Sequence, residues 1–581
     1  MKFTFRSAFF IFLFGIQGVV AQKKDENIGT EVVNVVKPYT PTISDAFKVK
    51  ETPPLEDEDN TKKNDIKYNI FSFPVASTFT PSKGRAANVD KEARERLYKN
   101  FATVGLGLYG TANAELFVTE EVGDNGFVAG MLRHLSSAGG IDNVELEDGF
   151  SDSSIDLTYG NKQRELSWNF DLGYQNQGYN WYGLPEGFGS TLIPEEREDL
   201  VNAVEPQHFY HNAYASTKFD FNEMMFSSVS AKYNRFWDSY GSEENRFFVK
   251  PELNFEVAET NINVKLIVDY VGGSFDNDYF FTGESIKYGY TNIGIHPSFN
   301  WVRDDWSVNF GAATFLSFDL ETSDNKFFIY PQVNASYKLI GDLMIFYAGA
   351  EGTMEQNTYR DFTNENPYVS PTLYITPTDR QFDIFAGLKG KLANSVSYNL
   401  RGSYINERNR ALFRSNDYTE NAFNEEFAFG NSFSVVYDDM KTISFFGELK
   451  ADFSKNVSFG VNGTFSSYST DIQEEAWNLP AIKVGSSLDV NITKKWYAGA
   501  NVFFVGERKD VQDNLDTAET EPVQTLESYF DANAHVGYKH NERLTGFLRF
   551  NNIANQDYQR WLNYPVQGFQ VILGASYKFD F

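Results

Sequence analysis

Apolar and polar residues alternate along many segments of this 581-residue chain, from about residue 100 to its end. The closing segment, "QGFQVILGASYKFDF", carries an apolar residue at every second position from Phe569 to Phe581. An earlier segment, "ELSWNFDLGY", has the apolar set Leu166, Trp168, Phe170, Leu172 and Tyr174. Successive side chains of a strand point to opposite faces, so this pattern predicts strands with one apolar and one polar face.

The connections between the predicted strands fall into two classes. Tight turns are predicted at 340–342, 454–456, 493–495 and 540–542, and long connections near 176–205, 353–379, 506–526 and 554–566. Short turns on one side and long loops on the other are typical of an outer-membrane barrel. We therefore predict an all-β chain, a large antiparallel transmembrane β-barrel of about 22 strands.

One predicted turn does not fit this two-sided scheme. "YDDMK", residues 437–441, is predicted as a short turn on the long-loop side, and it requires an irregular strand within 409–420.

A soluble antiparallel sandwich would show the same alternation, but this chain has too many strands for an ordinary sandwich. Tyr, Trp and Phe recur near the strand ends, where the aromatic belts of membrane proteins lie. Aromatic residues make up 17% of the chain although its mean hydropathy is −0.42. A lipid-facing barrel surface accounts for both values.

The N-terminus differs from the barrel region. Lys2 and Arg6 precede a short apolar run and small residues, which predicts a signal peptide over 1–21 with cleavage near Ala21/Gln22. The apolar run is shorter than the roughly 20 residues of a membrane helix. Residues 22–98 are predicted to be an extended periplasmic linker segment, and 99–581 the barrel.

Composition excludes several functions. The chain has no cysteine, so thiolate metal sites and cysteine nucleophiles are impossible. A net charge of −28 argues against nucleic acid as a partner. His208 and His211 are three apart and should lie on opposite faces of a strand, which disfavours a metal site. With no catalytic motif, we predict neither enzyme activity nor a cofactor.

The last fifty residues resemble the final three strands of TonB-dependent outer-membrane receptors. An Asn-rich corner is formed by Asn551, Asn552, Ile553, Asn555 and Tyr558, and a last strand carries Gly574, Ala575, Tyr577 and Phe579. The resemblance implies a location in the Gram-negative outer membrane. It also implies that Tyr577, Phe579 and Phe581 form the insertion signal read by the barrel-assembly machinery.

The same resemblance sets an expectation for the N-terminus. "TEVVNVV" is similar to the short motif that an energy-coupling protein captures as an added strand, with Glu31 ahead of Val32, Val33, Val35 and Val36. These valines could instead pair with a barrel edge or a neighbouring protein, or belong to a tether. The segment before the barrel lacks the glycine-rich pattern of the family's plug, which is therefore predicted to be reduced or absent.

Two groups of residues are candidates for contact with a ligand or partner. Tyr179, Trp181 and Tyr182 lie in an aromatic, glycine-rich loop that could stack on a ligand or fold over the barrel mouth. Arg408, Arg410 and Arg414 could hold an anionic ligand or lipopolysaccharide, or pair with local carboxylates such as Glu407 and Asp417.

Two functional hypotheses follow. The barrel takes up an unknown small solute across the outer membrane, with the N-terminal segment as a coupling arm or minimal gate. Alternatively, it is a non-transporting structural barrel that scaffolds an envelope complex through residues 22–98, which would bind a periplasmic or outer-membrane partner.

Overall fold

The computed structural model describes residues 97–222, 225–257, 260–280, 284–418, 425–512 and 523–581. Twenty-two of its strands form one sheet. The first eleven are β1 Asn100–Gly107, β2 Ala112–Val122, β3 Gly126–Ser137, β4 Phe150–Lys162, β5 Leu166–Asn180, β6 Gln207–Phe221, β7 Phe226–Asp238, β8 Glu243–Val257, β9 Thr260–Phe275, β10 Ile286–Arg303 and β11 Trp306–Asp319. The other eleven are β12 Asn325–Ile340, β13 Met344–Glu355, β14 Thr378–Ala393, β15 Val396–Ser415, β16 Phe433–Ser454, β17 Val457–Thr470, β18 Ile482–Asn491, β19 Trp496–Val505, β22 Tyr529–Lys539, β23 Leu544–Asn551 and β26 Gln570–Phe579.

The sheet closes on itself. Each strand pairs antiparallel with the barrel strand before and after it, and the last strand, β26, pairs with β1 from Asn100↔Phe579 to Gly107↔Ile572. Closure leaves no strand edge in the barrel, as a membrane-spanning sheet requires. The predicted closed antiparallel barrel of about 22 strands is confirmed.

The connections alternate in length around the barrel. The tight turns predicted at 340–342, 454–456, 493–495 and 540–542 all lie at one end, which we call the short-turn end. The predicted long connections all lie at the opposite, long-loop end, as 181–206, 356–377, 506–528 and 552–569.

The predicted turn at 437–441 is wrong. These residues lie inside β16, which at 22 residues pairs with the 20-residue β15 across a bulge between Glu407 and Arg410. The adjacent aspartates Asp438 and Asp439 suggested a turn, but Asp438 binds the next loop instead. Its carboxylate accepts hydrogen bonds from the backbone N–H groups of Asp471, Ile472 and Gln473. No irregular strand is needed within 409–420.

The apolar face of the barrel points outward. On β5, Phe170, Leu172 and Tyr174 are 42%, 44% and 40% exposed. The predicted aromatic belt is present at both ends. At the short-turn end, Trp306 packs on Tyr337, 4.5 Å between ring centroids, and Trp496 on Tyr538, 4.8 Å. Towards the long-loop end, His211 stacks between Tyr174 and Trp237.

The lumenal face is polar and rich in ion pairs. Four of these pairs bridge neighbouring strands: Arg133–Asp156, Arg246–Asp269, Arg401–Asp383 and Arg380–Glu355, at 2.6 to 2.8 Å. Their outward-facing neighbours, such as Leu132, Phe247 and Leu400, are apolar and exposed. The wall therefore has the apolar-outside, polar-inside alternation of a water-exposed lumen.

The described helices are short and lie in the long loops, as α1 Pro194–Asn202 and α2 Tyr359–Glu365. A 3₁₀ turn at Leu108–Gly110 joins β1 to β2. None of these helices has the length and apolar character to cross a membrane.

Candidate functional site: a barrel mouth closed by its loops

Three of the long loops, 181–206, 356–377 and 552–569, pack with the ends of barrel strands in one buried apolar core at the long-loop end. The long loops also carry two small hairpins outside the barrel sheet, β20 Arg508–Val511 with β21 Val523–Leu526, and β24 Gln559–Trp561 with β25 Tyr564–Pro565. We call the buried core the mouth cluster. It consists of Tyr182, Tyr210, Phe236, Val271, Phe275, Ile286, Tyr288, Tyr359, Phe362, Val369, Leu373, Ile375, Phe413, Phe433, Val435, Trp561 and Tyr564.

Tyr564 joins loops that are far apart in the sequence. Its ring stacks on Tyr368, with 3.6 Å between centroids, and packs against Tyr182 at 4.9 Å. Its hydroxyl donates to the backbone carbonyl of Asn431. Burial raises the pKa of this phenol well above its ordinary value, so it remains a donor. One side chain thus connects loops 181–206, 356–377, 416–432 and 552–569.

Two strand carboxylates hold α2 against the barrel wall. Glu244, 2% exposed on β8, accepts hydrogen bonds from Tyr288 Oη at 2.8 Å and from the backbone N–H groups of Tyr359 and Arg360 at 2.6 and 3.3 Å. Asp238 at the end of β7 accepts Tyr359 Oη at 2.8 Å. A carboxylate at a helix N-terminus meets unpaired N–H groups and the positive end of the helix dipole, which stabilises the docked loop.

A third buried carboxylate connects the β20–β21 hairpin to its neighbours. Asp510 is fully buried and accepts from Ser415 N–H at 2.9 Å and from Asn478 Nδ2 at 2.7 Å. Next to it, Gln512 donates to Ser415 Oγ and to the carbonyl oxygens of Asn416 and Gly430. Burial raises the pKa of Asp510 to about 6, although these hydrogen bonds oppose the shift.

The pKa of Asp510 predicts how docking of this hairpin depends on pH. A carboxyl whose pKa is raised in the docked state binds more protons docked than undocked between about pH 4 and pH 6, so docking weakens as pH rises through that window. We expect the amide hydrogen-exchange protection of 508–512 and 523–526 to fall from pH 4 to pH 7. Asp510→Asn should remove this dependence, and equal pH profiles in both proteins would contradict it.

Trp181 and Tyr182 lie in the predicted loop, whereas Tyr179, predicted in the same loop, lies on β5; all three pack at the mouth. Trp181 is completely buried, stacked on His208 at 4.6 Å, and its Nε1 donates to the carbonyl of Pro367. Tyr182 belongs to the mouth cluster, and Tyr179 packs beside it on Tyr210. The sequence left two interpretations of this loop, and in the structure the loop folds over the barrel mouth. A ligand contact through these residues stays a prediction.

The three arginines of β15 do not form one site. Arg410 forms an ion pair with Glu407 at 3.3 Å, and Glu407 also forms an ion pair with Arg380. Local pairing with a carboxylate therefore accounts for Arg410. Arg408 lies opposite Asp379 in the strand register. Arg414 lies near the buried Asp510 and acts on it electrostatically. Binding of lipopolysaccharide or another anion by this group stays a prediction.

The Asn-rich corner shapes the last loop. Asn552 adopts a positive φ of 46° and donates through Nδ2 to the carbonyl oxygens of Gln556 and Gln567, while Asn555 Oδ1 accepts the N–H of Phe569. Asn551 Nδ2 donates to Gln570 Oε1 on β26. Asn is the residue that tolerates this backbone conformation while its side chain bonds the neighbouring main chain.

The predicted insertion signal lies at the barrel seam. Tyr577 and Phe581 are 44% and 84% exposed, and Phe579 packs between their rings. This places them on the outer surface at the short-turn end. Their recognition by the barrel-assembly machinery stays a prediction.

His208 and His211 lie on opposite faces of β6, as their spacing predicts, with His208 buried and His211 stacked outside on Trp237. Within the described ranges no three His, Asp or Glu side chains are grouped to hold a metal ion. Glu31 to Val36 lie outside the described residues.

Sequence reasoning missed the residues that close the mouth. Glu244 and Tyr359 are 115 residues apart and Asp510 and Ser415 are 95 apart, so no local pattern joins them. One signal was available in the sequence. The loops contain many Tyr, Phe and Trp side chains, which are expected in a surface loop only if the loop packs against other parts of the protein.

The fold is that of siderophore and iron receptors of the outer membrane. The chain is similar to the FrpB iron transporter from Neisseria meningitidis, with 11% identity, a TM-score of 0.63, and coverage of 83% of this chain and 82% of that one. It is similar to the pyoverdine receptor FpvA from Pseudomonas aeruginosa (12%, TM-score 0.60, 83% and 78% covered) and to the ferric-catecholate import receptor Fiu from E. coli (11%, 0.58, 84% and 82%).

These likenesses confirm, at the level of the fold, the resemblance to TonB-dependent receptors that the last three strands indicated. No protein-family model and no curated protein matches the sequence.

Proposed function

We propose that this chain is an outer-membrane barrel that takes up a small solute, with its long loops facing outward as a gate. The observation that carries the proposal is the combination of a polar lumenal wall with a mouth closed by loops rather than by strands. A wall of paired charges suits a water-filled path, and loops can move where barrel strands cannot. The solved receptors with this fold, named for iron and siderophore import, support the same class of activity.

The chain would be secreted through its signal peptide, cleaved near Ala21/Gln22, inserted by the barrel-assembly machinery through Tyr577, Phe579 and Phe581, and surrounded by lipid and lipopolysaccharide. An energy-coupling protein would bind the segment from Glu31 to Val36, and a reduced plug or none would precede the barrel.

A structural barrel is the second candidate, and the extent of the mouth cluster favours it. Eight of its seventeen buried residues come from loops 181–206, 356–377 and 552–569 and nine from barrel strands, and such a core suits a barrel that never opens. In that case residues 22–98 would bind an envelope partner and the loops would serve as a fixed cover.

Uptake by cells separates the two candidates. Cells with and without the chain are compared for accumulation of labelled small solutes, including a ferric siderophore because the similar structures are named for such cargo. Transport predicts at least one solute that enters faster when the chain is present. A scaffold predicts no solute difference, together with a leakier envelope when the chain is lost.

The coupling arm is tested in the same assay. Deletion of Glu31 to Val36 should abolish uptake of that solute while the barrel still reaches the membrane in normal amount. Unchanged uptake would exclude these residues as the coupling segment.

A further inference from the structure

Three cationic side chains converge on the lumenal side of the closed mouth, between β18, β20 and β24. They are Lys483, Arg508 and Arg560, and we call them the cationic cluster. Each of the three charges repels the other two, so they lie within electrostatic range of one another. Such a grouping is unexpected in a chain with a net charge of −28. Placing like charges close together costs electrostatic free energy unless a bound anion compensates for the repulsion.

The strand register places Lys483 on the lumenal face. Lys483 pairs with Val505 and Val505 pairs with Tyr529, so the three lie in one row across β18, β19 and β22. The neighbouring Val484 is 39% exposed on the outer face, as expected if Lys483 points inward. The adjacent lumenal row contains Phe503 opposite Asp531.

Two tyrosines form an aromatic platform beside the cluster. Tyr529 and Tyr558 stack in parallel, 3.9 Å between centroids and 3° between planes, and the Arg508 guanidinium lies 5.6 Å from the Tyr529 ring centroid. The hairpin residue Arg560 follows Tyr558 by two positions. Cation–π attraction to the tyrosine face positions the guanidinium without using its N–H groups.

Among the described residues none of the three cations forms an ion pair; Arg508 donates to the backbone carbonyls of Gln559 and Arg560, and its Nε has no partner although the residue is 6% exposed. Burial is the main cause that lowers the pKa of Arg508; Tyr529 opposes this shift, and the charge of Arg560 adds to it.

The nearby carboxylates Glu365, at the end of α2, and Asp510 act electrostatically on Lys483 and Arg508, but neither forms an ion pair with them. Asp510 accepts hydrogen bonds from the main chain and from Asn478, and Asp531 accepts one from the Tyr558 hydroxyl at 3.2 Å through Oδ2. The buried Oδ1 of Asp531 has no partner among the described residues.

We propose that Lys483, Arg508 and Arg560 form a lumenal binding site for the phosphate or carboxylate group of a small solute, with Tyr529 and Phe503 beside its less polar part. Guanidinium groups match the oxygens of both anions, and charge-assisted hydrogen bonds to them are the strong ones. The inference rests on the proposed uptake function and names the class of solute that would be carried.

Binding to the full-length chain in detergent, measured by isothermal titration calorimetry with inorganic pyrophosphate and separately with succinate, tests the site. The wild-type chain should bind at least one probe, more weakly as salt rises. Arg560→Gln and Lys483→Gln should each weaken binding about tenfold, as expected for loss of one charge-assisted contact. Both side chains are exposed, so neither change removes buried packing.

Arg549→Gln is the matched control, because Arg549 is also a lumenal cation but lies outside the cationic cluster, over the Phe547 ring on β23. Its binding should match that of the wild type. The inference is overturned if the wild type binds neither probe, which is the result expected if the chain's own acidic residues neutralise the cluster. It is also overturned if Arg549→Gln weakens binding as much as Arg560→Gln and Lys483→Gln do.

The two proposals fail in different ways. Anion binding by a chain that fails the uptake assay contradicts transport and supports the site, whereas uptake without anion binding contradicts the site alone.

Discussion

Glu244→Ala is expected to release loop 356–377 from the barrel wall. The substitution leaves the backbone N–H groups of Tyr359 and Arg360 and the hydroxyl of Tyr288 without their buried acceptor. Each unsatisfied buried donor costs about 1–3 kcal/mol, and water will recover part of it as the loop opens, so we expect a loss of about 3 kcal/mol in docking. Amide hydrogen exchange in 356–377 should then accelerate by roughly a hundredfold.

The adjacent residue supplies the control. Glu243 is on the same strand and has the same side chain, but it is exposed and pairs with Arg235 at 2.7 Å. Glu243→Ala should leave exchange in 356–377 within about twofold of the wild type, since exposed ion pairs contribute little. Equal acceleration in the two variants would show that Glu244 does not hold the loop.

Tyr564→Ala is expected to loosen several loops at once. Removal of a fully buried aromatic side chain costs about 3–5 kcal/mol, and Tyr564 contacts Tyr182, Tyr368 and the carbonyl of Asn431. Hydrogen exchange should therefore rise together in 181–206, 356–377 and 552–569. Tyr564→Phe keeps the ring and loses one hydrogen bond, so its effect should be near 1 kcal/mol.

Tyr374→Ala is the comparison for that experiment. Tyr374 lies in the same loop region but is 65% exposed and donates to Asp278. Its removal should change exchange only near residue 374. If Tyr564→Ala also acts only near its own position, the mouth cluster is not a cooperative unit.

The barrel could be predicted from the sequence because its information is local. Alternation over eight to ten residues determines which face of β5 or β26 is apolar, and short polar segments such as 493–495 determine the turns. The mistaken turn at 437–441 had the same source: two adjacent aspartates are typical of turns, and only the contact between Asp438 and loop 471–473 explains them within a strand.

The closed mouth could not be predicted because its contacts are not local. In "GSEENRFF", nothing in the local sequence distinguishes Glu243 from Glu244. Glu243 forms an exposed ion pair, whereas Glu244 is a buried acceptor only because it contacts α2, over a hundred residues later in the chain. The cationic cluster is similar, since Lys483, Arg508 and Arg560 become neighbours only when the hairpins β20–β21 and β24–β25 fold back over the lumen.

Single-channel conductance in planar bilayers tests most directly whether the loops close the mouth. Four proteins are compared: the full chain, the chain lacking 22–96, and both with 356–377 replaced by a short Gly-Ser linker. We expect that removal of 22–96 alone leaves the barrel closed, and that replacement of the loop in that background produces steady conductance. Steady conductance of the chain that lacks 22–96 but retains every loop would contradict this expectation.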